Sequence, residues 1–318
     1  TALRMATRIN GRKEVLVPRS MNPDTLMAVR HYLMGVSEPF AAVNTVDFDP
    51  RSGQMDIADL KSKVSSATAA VLVEIPGYLG VLDARIEDIG AIARENGAEF
   101  IIHADPISLG VIASPAALGA TMACGDYHPL GIHMNCGGGQ AGFVATPEDR
   151  QYIAQFKDRL AAITETVREG EYAFEHVLYD QTHFSAREKG NEYTGTWMGL
   201  WAITGAVYLS LMGPKGMAEV GRTIMQQAQY AARLITRIEG VEMAFDAPFF
   251  KEFAVNFDGT GKSVGEINKA LLDHRIFGGR DLSGAFPDLG QAALFCVTEN
   301  MTKDDIDAMA EALAEVVR

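Results

Sequence analysis

The chain has 318 residues, 47% of them hydrophobic and 22% charged, a globular balance long enough to bury a core without disulfides or metal. Its 28 Lys and Arg against 41 Asp and Glu give a formal charge of -13, which repels phosphate backbones and anionic lipid and argues against nucleic-acid and membrane roles. Its three cysteines form neither a CxxC pair nor an even framework, so a reducing, cytoplasmic setting is expected and a secreted disulfide fold is not.

In chain order, Ala2 to Ile9 reads as the end of a helix begun before the first residue, and Glu14 to Pro18 as a short buried strand. Pro23 opens a helix to about Leu33, since proline is tolerated in a first turn whose N–H has no partner. A strand is expected over Ala41 to Asp47 and a helix over Asp56 to Val64. Ala69 to Ile75 is an almost unbroken apolar run, as for a strand covered on both faces, and Pro76 to Gly80 follows as a loop. Helical periodicity over Ile86 to Asn96 ends at Gly97, a plausible cap, and Phe100 to Asp105 is the next strand. Ala116 to Leu118 and Thr121 to Tyr127 continue the alternation, which Gly142 to Thr146 closes.

Strands alternating with helices predict an α/β fold, a mostly parallel sheet with helices on both faces. Ligands in such sheets sit at the C-terminal strand ends, so the loops after Ile75, His103 and Asp126 are the first candidates for a site. Beyond residue 146 the character changes. Arg150 to Gly170 and Gly199 to Ile238 read as helical, with Gly213 to Gly216 as a turn between helices. The apolar stretch Trp197 to Met212 is too short to span a bilayer comfortably and reads as a buried helix. Strands over Gly240–Phe245, Glu252–Phe257 and Ala292–Val297, with helices over Val264–Asp273 and Lys303–Val317, suit a small α+β C-terminal domain.

Few motifs stand alone. Gly261-Lys262-Ser263 resembles the tail of a phosphate loop, but Asn256 stands where that loop needs glycine, so a turn explains it better. No GxGxxG follows the early strands, which disfavours a nicotinamide dehydrogenase, and no G-x-S-x-G elbow supports a hydrolase. Gly137, Gly138 and Gly139 after Cys136 allow either a ligand contact or a tight crossing of chain segments. His103, Asp105, Cys124, Asp126, His128, His133 and Cys136 carry metal-compatible donors, with His103, His128, His133 and Cys136 as the candidate cluster. None of their spacings specifies a metal, and none is expected.

Several stretches together carry a resemblance: Asn10 to Val15, Ile75 to Gly80, Asp105 to Gly110, Arg187-Glu-Lys189, Gly213 to Gly216, Asp246 to Phe250 with Glu252-Phe253, and Val297 to Glu299. They resemble the fold-type-I pyridoxal-phosphate enzymes, and within them subunit 1 of the two-subunit glycine decarboxylase, the P-protein of the glycine cleavage system. The resemblance covers essentially the whole chain. It implies a seven-stranded-type sheet, a large domain over residues 1–215 and a small one over 216–318. It also implies that the family's N-terminal segment lies before the first residue, so the sequence looks truncated or split from another polypeptide.

The resemblance further implies a division of labour. Pyridoxal phosphate is an electron sink for glycine decarboxylation, and it rests as a Schiff base on a lysine. A His-Lys pair carries that lysine in the family's catalytic half. The corresponding stretch here is Tyr127-His128-Pro129, and proline has no amine, so this chain alone is expected to be inactive. The cofactor is expected on a lysine-bearing partner, in a hetero-oligomer or dimer visited by a lipoyl carrier protein. His103, Asp105, His128, Gly137, Gly138 and Arg187 are the candidate cofactor-side or rim residues. Asp105 matches the carboxylate that pairs with the cofactor's ring nitrogen, or is simply a strand-end cap before Pro106. The family's Arg-Glu-Lys-Ala-Thr-Ser-Asn run is here Arg187-Glu-Lys-Gly-Asn-Glu-Tyr193, so a changed substrate stays open. Two alternatives remain: a non-catalytic scaffold or regulatory paralogue, and an enzyme repurposed around a metal held by the His/Cys cluster.

Overall fold

The computed structural model describes residues 1–35, 39–134, 141–187 and 198–318. Its first part alternates as the sequence does: α1 (Ala2–Asn10), β1 (Glu14–Pro18), α2 (Pro23–Leu33), β2 (Ala42–Val46), α3 (Ile57–Lys63), β3 (Thr68–Ile75), α4 (Ile86–Glu95), β4 (Glu99–Ala104), β5 (Met122–Asp126) and β6 (Gly142–Ala145). Local chemistry sets the helix starts. Asn22 caps α2 by accepting from the Asp24 N–H, and Asp56 caps α3 through the N–H groups of Ala58 and Asp59.

The strands form one sheet in the order β2-β1-β3-β4-β5-β6, parallel except for β6, which runs antiparallel to β5. Six strands are therefore seen among the described residues, where seven were expected. Alternate side chains feed two cores, as the twofold strand period requires. Val17, Leu72, Ile101 and Met122 pack on Met5 of α1, while Leu16, Val73, Phe100 and Ile102 pack on Ile89 and Ala93 of α4.

The second part contains α5 (Arg150–Ile153), β7 (Leu160–Glu165), β8 (Tyr172–Val177), α6 (His183–Ala186), α7 (Met198–Ile235), β9 (Glu242–Met243), β10 (Glu252–Asn256), α8 (Val264–Leu271), β11 (Arg280–Asp281), β12 (Ala292–Cys296) and α9 (Lys303–Val316). Strands β11-β12-β10-β9 make a small antiparallel sheet whose Phe253, Val255 and Phe295 bury against Ile235, Ile267 and Leu313. Ser263 and Glu266 form a capping box at α8, so Gly261-Lys262-Ser263 is a helix entry and not a phosphate cradle.

Two expectations are corrected. The helix expected over Arg150 to Gly170 is only α5, followed by the β7–β8 hairpin, because Gly170 supplies the left-handed residue (φ 78°) of its turn. The helix through Met212 is real but not buried: Leu200, Ile203, Val207 and Leu211 all face outward. At Gly213 (φ 58°, ψ -179°) the backbone leaves helical geometry, which gives the expected turn the form of a kink.

The two sheets are joined at the strand ends of the larger one. The loop after β3 lies against the entry to β10: Leu82 N–H donates to the Pro248 carbonyl at 2.7 Å, and Val81 bridges Phe249. Gly80 (φ 90°) approaches the β10 backbone so closely that a Cβ there would lie 2.2 Å from the Glu252 carbonyl oxygen.

Candidate active-site cavity

Parallel strands present their C-terminal ends as a concave edge, and a cavity of about 320 Å³ opens there. Its wall includes Glu74 of β3, His103 of β4, Asp105 just beyond β4, Asp126 of β5 and Pro129 beyond β5. The small sheet closes it from above with Lys251 and Glu252, and α2 contributes Asn22 and Thr25 from its N-terminal end. A larger cleft of about 800 Å³ lies among Arg237, Asp307, Glu311 and Val317, away from those strand ends.

Asp105 is fixed by its own turn. Its Oδ1 accepts the N–H of Ile107 at 2.8 Å and of Ser108 at 3.4 Å, while its N–H donates to the Ile75 carbonyl at 3.0 Å. Its Oδ2 accepts from the Lys251 ammonium, which also lies 3.7 Å from Glu252 Oε1. Burial opposes the charge on Lys251, but the carboxylates of Glu252 and Asp105 outweigh it and hold the amine above the ordinary lysine range.

Two further groups are shifted by burial. Glu74 is pushed up to about 7, against the weak opposing effect of the Tyr78 N–H at 3.4 Å. The His103 imidazole, its Nδ1 3.8 Å from Glu74 Oε1, is pushed down by burial despite the pull of Asp126 and Asp105. Cys124, paired across the sheet with His103, is pushed up to about 11 by burial, so its thiol stays protonated.

The sequence candidates divide accordingly. His103, Asp105 and Pro129 line the cavity. His128 does not; its N–H donates to Asp126 Oδ1 at 2.8 Å, and its buried Nε2 has no hydrogen-bond partner among the described residues. Arg187 lies outside the cavity wall, with a positive φ of 51°. Cys136, Gly137 and Gly138 fall outside the described residues. His133 is exposed, and among the described residues no three His, Cys, Asp or Glu side chains are grouped to hold a metal.

Lys251, Glu252 and Glu74 were missed as site residues. A signal for the first two existed: a lysine and a glutamate interrupt the apolar run from Phe249 to Val255, so charges there must find partners or water.

Comparison with known proteins agrees with this architecture. The chain matches the glycine cleavage system P-protein family over residues 1–313. It is 35% identical over 317 residues to a protein of Staphylothermus marinus named probable glycine dehydrogenase (decarboxylating) subunit 1, covering 99% of this chain and 67% of that one. It thus spans about two thirds of that relative's length. A crystal structure of glycine decarboxylase (P-protein) in inhibitor-bound form superposes with a TM-score of 0.87 at 31% identity, covering 99% of this chain and 68% of that one. A cysteine desulfurase of Escherichia coli shares the fold alone, with a TM-score of 0.65 at 13% identity over 96% of this chain and 72% of that one. With the match running through both sheets and not through one motif, this chain belongs to the glycine cleavage system P-protein family.

Proposed function

We propose that this chain is the lysine-less subunit of a pyridoxal-phosphate-dependent glycine decarboxylase and completes the active site of a lysine-bearing partner. The observation that carries the reading is Pro129, which lines the strand-end cavity with Asp105 where the family resemblance calls for the cofactor's lysine. Proline offers no amine, and the lysine that does reach the cavity, Lys251, is engaged by Asp105.

The cofactor, when bound, supplies an electron sink for the carbanion left by loss of carbon dioxide from glycine. The cavity of this chain does not fit it. Among the described residues Glu74, Asp105, Asp126 and Glu252 line it against Lys251 as the one lysine, a poor lining for a phosphate ester. The reacting groups are therefore assigned to the partner, and this chain's part is to shape, cover and orient. Its outward apolar surfaces support an obligate complex: Leu200, Ile203, Val207 and Leu211 on α7, and Ile163 and Phe174 on the hairpin. A lipoyl carrier protein is the transient partner this reading implies, and His128, Gly137, Gly138 and Arg187 are the residues proposed at the subunit rim.

A division of the chain at residues 215 and 216 into a large and a small domain is part of the same reading, supported by the kink at Gly213. So is a cytoplasmic location. Among the described residues no helix is long and apolar enough to cross a membrane.

The test is release of labelled carbon dioxide from carboxyl-labelled glycine, with the chain alone, the lysine-bearing partner alone, and both together. Activity is expected only in the mixture. Turnover by this chain alone, with borohydride fixing the cofactor to one of its lysines, would defeat the reading. A mixture that neither associates nor turns over would favour a scaffold instead.

A further inference from the structure

The Lys251–Asp105 contact says more about this cavity than the missing lysine does. Asp105 has two oxygens, and both are committed. Oδ1 is held by the backbone N–H groups of Ile107 and Ser108, while Oδ2, the oxygen turned toward the small sheet, receives the ammonium of Lys251. The pair is mostly withdrawn from water, with the Lys251 side chain 21% exposed and that of Asp105 11%.

The backbone around Lys251 is fixed as well. Its carbonyl accepts the Val297 N–H at 3.0 Å, and Glu252 next to it pairs with Cys296 across the β10–β12 ladder. The Gly80 approach and the Leu82–Pro248 hydrogen bond hold the same stretch against the loop after β3. The ammonium is thus delivered to Asp105 by two packed elements and not by a free surface side chain.

We propose that Lys251 is a built-in replacement for the protonated ring nitrogen of pyridoxal phosphate: its ammonium occupies the charge position opposite Asp105, closes this chain's own cavity to the cofactor, and pins the small sheet to the strand ends of the large one. The carboxylate keeps its structural value because its counter-charge is now covalently part of the chain. A buried carboxylate stripped of its partner is costly, so a chain that holds no cofactor keeps Asp105 only with such a substitute. This deepens the reading that the partner carries the cofactor, and rests on it only for the cofactor's identity.

The experiment uses the full chain without its partner and pyridoxine as probe, a hydroxypyridine that carries neither an aldehyde to react with surface lysines nor a phosphate to be repelled. Equilibrium dialysis near pH 6 compares the wild type, Lys251→Ala, Lys251→Arg, Asp105→Asn and the double variant Lys251→Ala with Asp105→Asn. Lys251→Ala is expected to bind at least about tenfold more tightly than wild type, an effect of roughly 1.4 kcal/mol. Lys251→Arg is expected to stay closed, and the double variant to lose the gain. Equal binding by Lys251→Ala and wild type, or saturable binding by wild type that needs Asp105, overturns the proposal.

Thermal unfolding keeps the test open if Lys251→Ala folds poorly. That variant is expected to melt lower by roughly 5 °C or more, and Asp105→Asn in the same background to recover at least about half of the loss. Strictly additive losses overturn the proposal. None of these readouts uses decarboxylation, so failure here leaves the subunit assignment standing, and failure of the mixed-subunit assay leaves the Lys251 result standing.

Discussion

At the residue scale the least ordinary group is Glu74. It stands near the end of β3 with its side chain 7% exposed, and burial lifts its pKa to about 7. Its neighbour His103 is itself pushed toward the neutral form by burial, so it offers Glu74 little compensating charge at neutral pH. The folded chain therefore holds the Glu74 proton longer than the unfolded chain does. The stability this contributes is full below about pH 4.5, the ordinary glutamate value, and is lost as pH rises through about 7. Glu74→Gln keeps the acceptor for the Tyr78 N–H and removes the titration. It is expected to stabilise the protein at pH 8 by on the order of 2–3 kcal/mol and to change little near pH 4.5. Urea unfolding of both proteins across that range checks it; a constant offset between the two curves would refute the assignment. Sequence reading reached His103 and Asp105 because each closes or follows a recognisable strand, and Pro129 through the family resemblance. It passed over Glu74, which sits inside an apolar run that explains itself as a strand without it.

At the element scale, close backbone approach decides how α7 meets the site. The turn Ser108–Gly110, which follows Asp105, touches the second half of α7 so closely that a Cβ on Gly110 would lie 2.3 Å from the Met217 carbonyl oxygen. Gly221 likewise leaves room for Val111, at 2.9 Å from where its Cβ would be. Gly110→Ala must separate two backbones and displace the turn that orients Asp105. It is expected to cost roughly 1–3 kcal/mol in chemical unfolding. Gly265→Ala, exposed in α8 with nothing within 4 Å, is expected to stabilise by up to about 1 kcal/mol in the same measurement. If the two substitutions behave alike, packing is not what distinguishes these glycines. Helix and strand types were mostly legible here, because periodicity and capping are local. The β7–β8 hairpin was not, because its two-stranded sheet lies under no third strand among the described residues and its side chains show no buried face that would mark a strand.

At the scale of the whole molecule, the lone chain exposes what an assembly would bury. Leu200, Ile203, Val207 and Leu211 recur at helical spacing along the open face of α7, with Leu211 82% exposed. On the hairpin Ile163 pairs directly with Phe174, and both face outward, Phe174 at 81%. A net charge of -13 opposes indiscriminate association but does not cover such patches. The wild-type chain alone is expected to self-associate reversibly as its concentration rises. Ile203→Asp combined with Leu211→Asp should leave it monomeric and folded but unable to join a lysine-bearing partner. Sedimentation of each protein with and without the partner decides this, and a double variant that still assembles would remove α7 from the interface.

The sequence by itself determined the order of elements in the large sheet, its mostly parallel pairing with the strand ends as the place for a cavity, and the presence of proline at the position where the family resemblance expects a lysine. These follow from periodicity, turn chemistry and residue identity, which act over a few neighbouring positions. Only the tertiary structure decided that Lys251 meets Asp105 across 146 residues, and that the apolar face of α7 turns outward. An ion pair between distant segments leaves no periodic trace in either, and an amphipathic helix records that one face must be covered without recording by what.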